Sequence, residues 1–395
     1  MASSSLDWIG PELERLAAAS LERVIGTTAP ASPGHVERRG RTLLDLSSND
    51  YLGLARHPAI IEAMREALLA EGAGSGASRL ATGSRPPYER LEQALAQWHG
   101  KGGALVLASG YMANAGVIPA LVGRQDVVFS DRLNHASIVD GIALSRAEHA
   151  RYRHGDMDHL RVLLQKHRGK RRKLIVTDAV FSMDGDQAPL AELVELKREH
   201  GAMLMADEAH SGGIYGRRGE GLAAQLGLQD EIDVHLGTFG KAFGLYGAYL
   251  CGSRELIRWL SSAARPLVYS TALPPSVPAG VMAALELIQA GPERRMRLLA
   301  ASRMFRASLT AAGLDVPDGD SPIVPLRIGE SDQALRVQAA LEEEGIAALA
   351  VRPPTVPAGT ARIRFSLSAA HSDAELAAAA SRIVSVCRRL GLGAP

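Results

Sequence analysis

Five brief apolar runs, each followed by polar or turn residues and several separated by helical sequence, constrain this chain more than anything else in it. They are Ala104-Leu-Val-Leu, Val127-Val-Phe, Leu174-Ile-Val, Met203-Leu-Met and Val234-His-Leu. Helical patterns such as 160–167 and 190–200 lie between them. Neighbouring parallel strands need a crossover of a dozen or so residues, so the alternation predicts an α/β fold with a central, mostly parallel, buried sheet flanked by helices. Ligands of such sheets gather at the carboxyl ends of the strands, which makes the residues after each run the first place to look for chemistry.

The flanks read differently. A helix over 11–24, a Gly/Pro-rich stretch over 26–34 and a strand at Thr42-Leu-Leu-Asp-Leu cannot bury a core of their own, so residues 1–50 are expected to form an N-terminal arm or small lobe. Residues 51–278 are expected to form the large α/β domain. A long helical stretch over 279–312 then leads to alternating strands at Ile323-Val-Pro-Leu-Arg-Ile and Ala361-Arg-Ile-Arg-Phe-Ser-Leu-Ser, with helices over 332–344 and 373–390. This predicts an α+β C-terminal domain over 279–395.

Charge excludes one class of partner. Lys and Arg number 44 against 43 Asp and Glu, a net charge of +1, which gives no basic field for nucleic acid. The two cysteines, Cys251 and Cys387, supply neither a disulfide framework nor a zinc site, and no His-Glu-x-x-His pattern suggests a metal. No apolar stretch is long enough to span a membrane, and Met1-Ala-Ser-Ser-Ser-Leu-Asp-Trp lacks the features of a secretory leader. A cytoplasmic location is expected.

Two strand ends carry the strongest chemical signals. Met203-Leu-Met-Ala runs into Asp207-Glu-Ala-His210, and Val234-His-Leu into Gly237-Thr-Phe-Gly-Lys241. The DEAH box of a helicase fails as a reading of the first, because no G-x-x-x-x-G-K-[S/T] loop occurs upstream. A structural Asp and an exposed loop lysine are the bland alternatives. A lysine set among glycines and aromatics past a buried strand is better suited to be a desolvated amine that forms a Schiff base. An aspartate that keeps a pyridine nitrogen protonated, with a lysine downstream, is the protein's half of pyridoxal-phosphate chemistry. The strand-to-helix turn at Ala108-Ser-Gly110-Tyr111 offers backbone N–H groups to a phosphate, and His135, just past another strand end, offers a ring to stack on the cofactor. Gly72-Ala-Gly-Ser-Gly76 follows helical sequence and is a loop of close approach, not a dinucleotide fingerprint.

Seven motifs in order make the chain resemble the α-oxoamine synthases, fold-type-I pyridoxal-phosphate enzymes, nearly end to end. They are Ser48-Asn-Asp-Tyr-Leu-Gly-Leu54, Gly74-Ser-Gly-Ala-Ser-Arg79, Asp131-Arg-Leu-Asn-His135-Ala-Ser137, Val180-Phe-Ser-Met-Asp-Gly-Asp186, Asp207-Glu-Ala-His210, Gly237-Thr-Phe-Gly-Lys241 and Pro353-Pro-Thr-Val-Pro-Ala-Gly359. The resemblance implies pyridoxal 5'-phosphate bound to Lys241, with Asp207 on the pyridine nitrogen and His135 over the ring. It places Ser182 and His210 at the phenolic oxygen, and Gly110, Tyr111 and Thr238 at the phosphate. Ser270 and Thr271 would reach that phosphate from a second subunit, which implies a homodimer with shared active sites. Catalysis would rest on Lys241, His135 and Asp207, with Asn49 as a further substrate contact. One departure is Thr177-Asp178, where the family usually has Thr-Glu.

Strand alternation puts Arg362, Arg364 and Ser366 on one face. A guanidinium suits an amino-acid carboxylate, and the resemblance selects Arg364, leaving Arg362 as a solvated strand-face charge. The segment Ala350-Val-Arg352-Pro-Pro-Thr-Val-Pro is similar to the 8-amino-7-oxononanoate synthase branch. That branch implies L-alanine and pimeloyl-CoA or pimeloyl-acyl carrier protein as substrates, with Arg352 and Arg23 toward the distal carboxylate. The alternatives are a 2-amino-3-ketobutyrate CoA ligase, using glycine and acetyl-CoA, an aminotransferase of the same fold, and a silent pyridoxal-fold binding protein.

Overall fold

The computed structural model describes residues 5–392. Met1–Ser4, part of the stretch read against a leader, lie outside the described residues. The chain divides into two compact units. The larger comprises Asn49–Ser182 and Asp186–Met296; the smaller runs through Ser48, takes in Met183–Gly185 and resumes at Arg297.

The larger unit is built on seven strands: β1 (Gly103–Leu107), β2 (Val127–Asp131), β3 (Glu148–Tyr152), β4 (Lys173–Asp178), β5 (Met203–Asp207), β6 (Val234–Thr238) and β7 (Ala248–Gly252). They lie in the order β1-β7-β6-β5-β4-β2-β3. Strands β2 to β6 pair in parallel, and β7 runs antiparallel to both β1 and β6. Leu174, Ile175, Val176, Leu204, Met205 and Leu236 are all fully buried, as expected of central strands covered on both faces. The alternation predicted this sheet from five runs. The two strands it did not mark are β3, an edge strand reading Glu-His-Ala-Arg-Tyr, and the reversed β7.

Register gathers the polar strand ends. Asp178 pairs with Asp207, and Asp207 with Leu236, across β4, β5 and β6. After β1 the chain turns through Ser109 into helix α1 (Gly110–Leu121), and after β2 it turns through His135 into helix α2 (Ala136–Ser145). Ser109 and His135 each accept a backbone N–H from the first turn of their helix, the capping that fixes where a helix begins.

The smaller unit corrects the expected division into three parts. Its N-terminal segment is not a lobe by itself: strand Arg41–Asp45 pairs in parallel with Ile346–Ala347. The boundary near 278 also moves, because the long helical stretch breaks at Gly291 and its first half, Ser276–Ala290, belongs to the larger unit. A three-stranded sheet of Ile323–Gly329, Ala361–Ser366 and Leu349–Val351 completes the smaller unit, with helix Asp373–Arg389 held by a capping box between Ser372 and Glu375.

Candidate active site

Asp207, at the end of β5, is buried. Its Oδ1 accepts the N–H of Ala209 at 3.0 Å and its Oδ2 accepts Asn114 Nδ2 at 2.8 Å. Each carboxylate oxygen thus accepts a hydrogen bond from the protein. Asp178, its register partner on β4, is held well above the usual carboxylate range, by burial first and then by the charge of Asp207. Two adjacent strand-end carboxyls cannot both ionise cheaply, and Asp178 is the one pushed toward protonation. Asp178 Oδ2 still accepts the His135 N–H at 2.8 Å, so the shorter carboxylate of Thr177-Asp178 reaches the neighbouring loop.

His135 Nδ1 lies 2.7 Å from Ser137 Oγ and 3.3 Å from Ser137 N. Its ring is exposed to solvent. Crowding by surrounding protein still disfavours its charged form and lowers its pKa; Asp207 opposes this and Lys241 adds to it. Both ends of the site therefore lie within electrostatic reach of this imidazole.

Past β6, Lys241 Nζ lies 2.8 Å from His210 Nε2. His210 Nδ1 lies 2.7 Å from the hydroxyl of the fully buried Tyr51, which reaches Asn49 Oδ1 at 3.2 Å. The chain Lys241–His210–Tyr51–Asn49 ties the Ser48–Leu54 motif to the amine. Ser182 is half-buried in the loop after β4, and that loop is fastened to β5 by Ala179 N–H donating to the Asp207 carbonyl at 2.9 Å.

At the start of α1, Ser109 takes up the N–H groups of Met112 and Ala113, leaving those of Gly110 and Tyr111 directed beyond the helix. A Cβ placed on Gly110 would lie 3.9 Å from Thr238 Cβ, so this helix start faces Thr238. Tyr111 turns its hydroxyl to Asp140, which leaves its backbone N–H as its means of meeting an anion. The Thr238 hydroxyl donates to the Gly247 carbonyl at 2.9 Å and accepts the Gly240 N–H at 3.2 Å. Ser270 and Thr271 follow helix Arg265–Tyr269, and the Ala272 N–H donates to the Ala77 carbonyl at 2.9 Å. In this chain they border Leu107 and Ala108.

In the larger unit Gly110, Tyr111, His135, Ser182, Asp207, His210, Thr238 and Lys241 all stand at or just past the carboxyl ends of strands β1, β2, β4, β5 and β6, and Asn49 is tied to Lys241 through Tyr51 and His210. An amine, a buried carboxylate carrying two donors, a flat ring and a helix start with outward N–H groups are the parts that pyridoxal phosphate requires, and the donor set fits it. Among the described residues no group of three or more His, Cys, Asp or Glu is arranged to hold a metal ion. No helix of the described residues is long and apolar enough to cross a membrane.

The three arginines read as substrate contacts lie in the smaller unit. Arg364 is buried, and its Nη1 donates to Ser366 Oγ at 2.6 Å. Arg352 donates through Nη1 to the Ser20 carbonyl and through Nη2 to that of Glu22, at 3.3 Å in the second case. Arg23 reaches Thr355 Oγ1 at 3.0 Å. Burial and the charge of Arg23 both depress the pKa of Arg352. Among the described residues neither Arg23 nor Arg352 forms an ion pair. Arg362 is not the solvated charge expected of it: it is buried and paired with Asp184. Strand alternation marks a face, but says nothing of what covers that face.

Sequence reasoning missed Asn114, Ser137 and Tyr51. Tyr51 and Ser137 stand inside the family-like motifs and Asn114 just past the Ser109–Tyr111 turn, yet the partners of Asn114, Ser137 and Tyr51 lie 93, 23 and 159 residues away, beyond any local pattern.

Comparison with known proteins agrees with this geometry. Residues 41–383 match the family model described as aminotransferase class I and II. The chain is 54% identical over 376 residues to 8-amino-7-oxononanoate synthase of Anaeromyxobacter dehalogenans, covering 95% of this chain and 94% of that one. Among solved structures it is similar to serine palmitoyltransferase from S. paucimobilis with bound PLP–myriocin aldimine, at 32% identity and a TM-score of 0.93 over 99% of both chains. It is also similar to 8-amino-7-oxononanoate synthase from Francisella tularensis, at 28% identity and a TM-score of 0.76 over 88% of this chain and 98% of that one.

Proposed function

Because the chain belongs to the α-oxoamine synthases, within the class I and II aminotransferase family, and is a pyridoxal-phosphate-dependent acyltransferase, we propose that it joins L-alanine to a pimeloyl thioester. The products would be 8-amino-7-oxononanoate, CO2 and free thiol, a cytoplasmic step of biotin formation. The thioester is carried by CoA or by acyl carrier protein. Identity of 54% to a named 8-amino-7-oxononanoate synthase, against 32% to a serine palmitoyltransferase, supports this branch. The observation that carries the choice is the Arg23–Arg352 pair. Two neighbouring guanidinium groups without an ion-pair partner among the described residues suit an acyl chain ending in a carboxylate, whereas a plain alkyl chain would leave both uncompensated.

The residues divide the work as follows. Lys241 would hold the cofactor, Asp207 would accept the pyridine N–H, Ser182 and His210 would meet the phenolic oxygen, and His135 would lie over the ring. The Gly110 and Tyr111 N–H groups and Thr238 would face the phosphate, with Ser270 and Thr271 of a second copy completing it in a homodimer. When bound, the cofactor supplies an electron sink for the Cα of the amino acid. Arg364 fixes the alanine carboxylate. Lys241 Nζ takes the Cα proton, with His210 beside it as the next proton carrier. A bond forms between Cα and the acyl carbonyl carbon, the C–S bond breaks, and the thiol leaves with a proton. The Cα–carboxylate bond then breaks to give CO2, and Lys241 returns a proton to Cα.

A substrate panel tests the reading. Thiol release is expected with alanine and pimeloyl-CoA and not with glycine and acetyl-CoA; equal or reversed rates would make the chain a 2-amino-3-ketobutyrate ligase instead. Borohydride reduction followed by peptide mass analysis should place a pyridoxyl adduct on Lys241.

A further inference from the structure

Asp207 and His135 are joined by a chain of hydrogen bonds that is buried from Asp207 to Ser137 and part-buried where it meets His135. Asn114 Nδ2 donates to Asp207 Oδ2 at 2.8 Å and to Ser137 Oγ at 3.0 Å, and Ser137 Oγ lies 2.7 Å from His135 Nδ1. Every donor in this chain can be assigned. A carboxylate only accepts, so the atom of Asn114 facing Asp207 is its NH2; the opposite rotamer would set a carbonyl against the charge. The same NH2 gives its second hydrogen to Ser137 Oγ. The Ser137 backbone N–H, a donor without ambiguity, points at His135 Nδ1 from 3.3 Å. Because it does, that nitrogen is the acceptor and the Ser137 hydroxyl directs its own hydrogen to it. Asn114 Oδ1 is left buried without a hydrogen-bond partner, so the amide is placed to serve the two acceptors and not itself.

We propose that Asn114 and Ser137 are positioning residues that hold His135 as its Nε2–H tautomer, so that a neutral imidazole presents an N–H donor to the substrate side of the ring. A neutral imidazole whose Nδ1 accepts hydrogen bonds carries its proton at Nε2. Crowding around the ring keeps it neutral, consistent with its lowered pKa. In the reaction proposed above, this Nε2–H is placed to donate to the acyl carbonyl oxygen as negative charge develops there. That use rests on the proposed function; the tautomer assignment does not.

The test is a long-range 1H–15N correlation spectrum of the full-length protein labelled with 15N-histidine, recorded with and without pyridoxal phosphate, and His135 assigned by its loss in His135→Asn. Wild type is expected to show an unprotonated Nδ1 and a protonated Nε2; the reverse pattern would overturn the proposal. In Ser137→Ala only the longer backbone donor remains, so the Nδ1 resonance should move toward that of a ring nitrogen without a hydrogen bond. The kcat should fall about tenfold, the weight of one such bond, with little change in the KM for alanine. Ser137→Thr, which keeps the hydroxyl, should restore both. An Nδ1 resonance unmoved by Ser137→Ala would also overturn the assignment. A pyridoxyl adduct absent from Lys241 would overturn the functional reading alone and leave the tautomer result standing.

Discussion

His154 offers a perturbation whose size can be worked out in advance. Its Nδ1 lies 2.9 Å from Asp131 Oδ1 and its Nε2 lies 2.8 Å from Asp186 Oδ2, while its ring stands T-shaped to that of Phe181 with centroids 4.5 Å apart. Burial opposes its charge, but hydrogen bonds to the two carboxylates outweigh burial and raise its pKa from 6.5 to about 10. As an imidazolium it clamps the end of β2, just before the His135 loop, to Asp186, just beyond the loop that carries Ser182. The gap between 6.5 and about 10, at roughly 1.4 kcal/mol per pH unit, sets a ceiling of about 5 kcal/mol. Desolvation of the nearly buried Asp131 and partial exposure of the histidine reduce the expected contribution to ~2–3 kcal/mol. The sign follows from a folded pKa above the unfolded one. The contribution is full below about pH 6.5, shrinks as pH rises from there, and is gone above about 10. His154→Gln keeps one donor and removes the charge. Urea midpoints of cofactor-free wild type and variant, converted with a common slope, should differ by ~2–3 kcal/mol at pH 6 and converge near pH 10. A difference that does not change with pH, or one below ~0.5 kcal/mol at pH 6, would refute the imidazolium clamp.

Glu208 is the opposite case: burial raises its pKa from 4.5 to about 8, so ionising it destabilises the fold increasingly as pH climbs from about 4.5 toward 8. Glu208→Gln should therefore be the more stable protein at pH 8.5, by ~1–3 kcal/mol, and equal to wild type near pH 4.5, read by the same denaturation series. Arg362→Met strands the Asp184 carboxylate in the smaller unit and should cost ~3–5 kcal/mol, much of it recovered in the double variant with Asp184→Asn. Arg352→Gln should raise the KM for pimeloyl thioester at least tenfold while leaving the KM for alanine within twofold; a change confined to alanine would remove Arg352 from the acyl site.

Different physical signals account for what the sequence makes legible here and what it conceals. Apolar runs mark β2, β4, β5 and β6 because a central strand is buried on both faces, and in β5 the polar residue that stops the run, Asp207, is the one delivered to the site. Edge strand β3 escapes because Glu148-His-Ala-Arg-Tyr has one wet face and no run to notice. Lys241 and Asp207 stand out through local company. Asn114 and Ser137 do not, since their importance comes from register between elements far apart in sequence. The Arg362 expectation failed for a related reason: an arginine on an alternating strand looks the same whether its neighbour is water or Asp184.

The parallel pairing of strand Arg41–Asp45 with Ile346–Ala347 sets a timetable for biosynthesis. A ribosome adding roughly 5–20 residues per second needs on the order of 15–60 s to make the second partner after the first has emerged. Throughout that interval Leu43 and Leu44, both buried in the finished protein, lack their cover. All seven strands of the larger unit leave the ribosome within the same interval, so the catalytic sheet can form while the tether to the peptidyl-transferase centre remains. A strand made about 300 residues before its partner is thus among the last to reach its native place, and charged residues (Arg38, Arg39, Arg41 and Asp45) flank its leucines in the meantime.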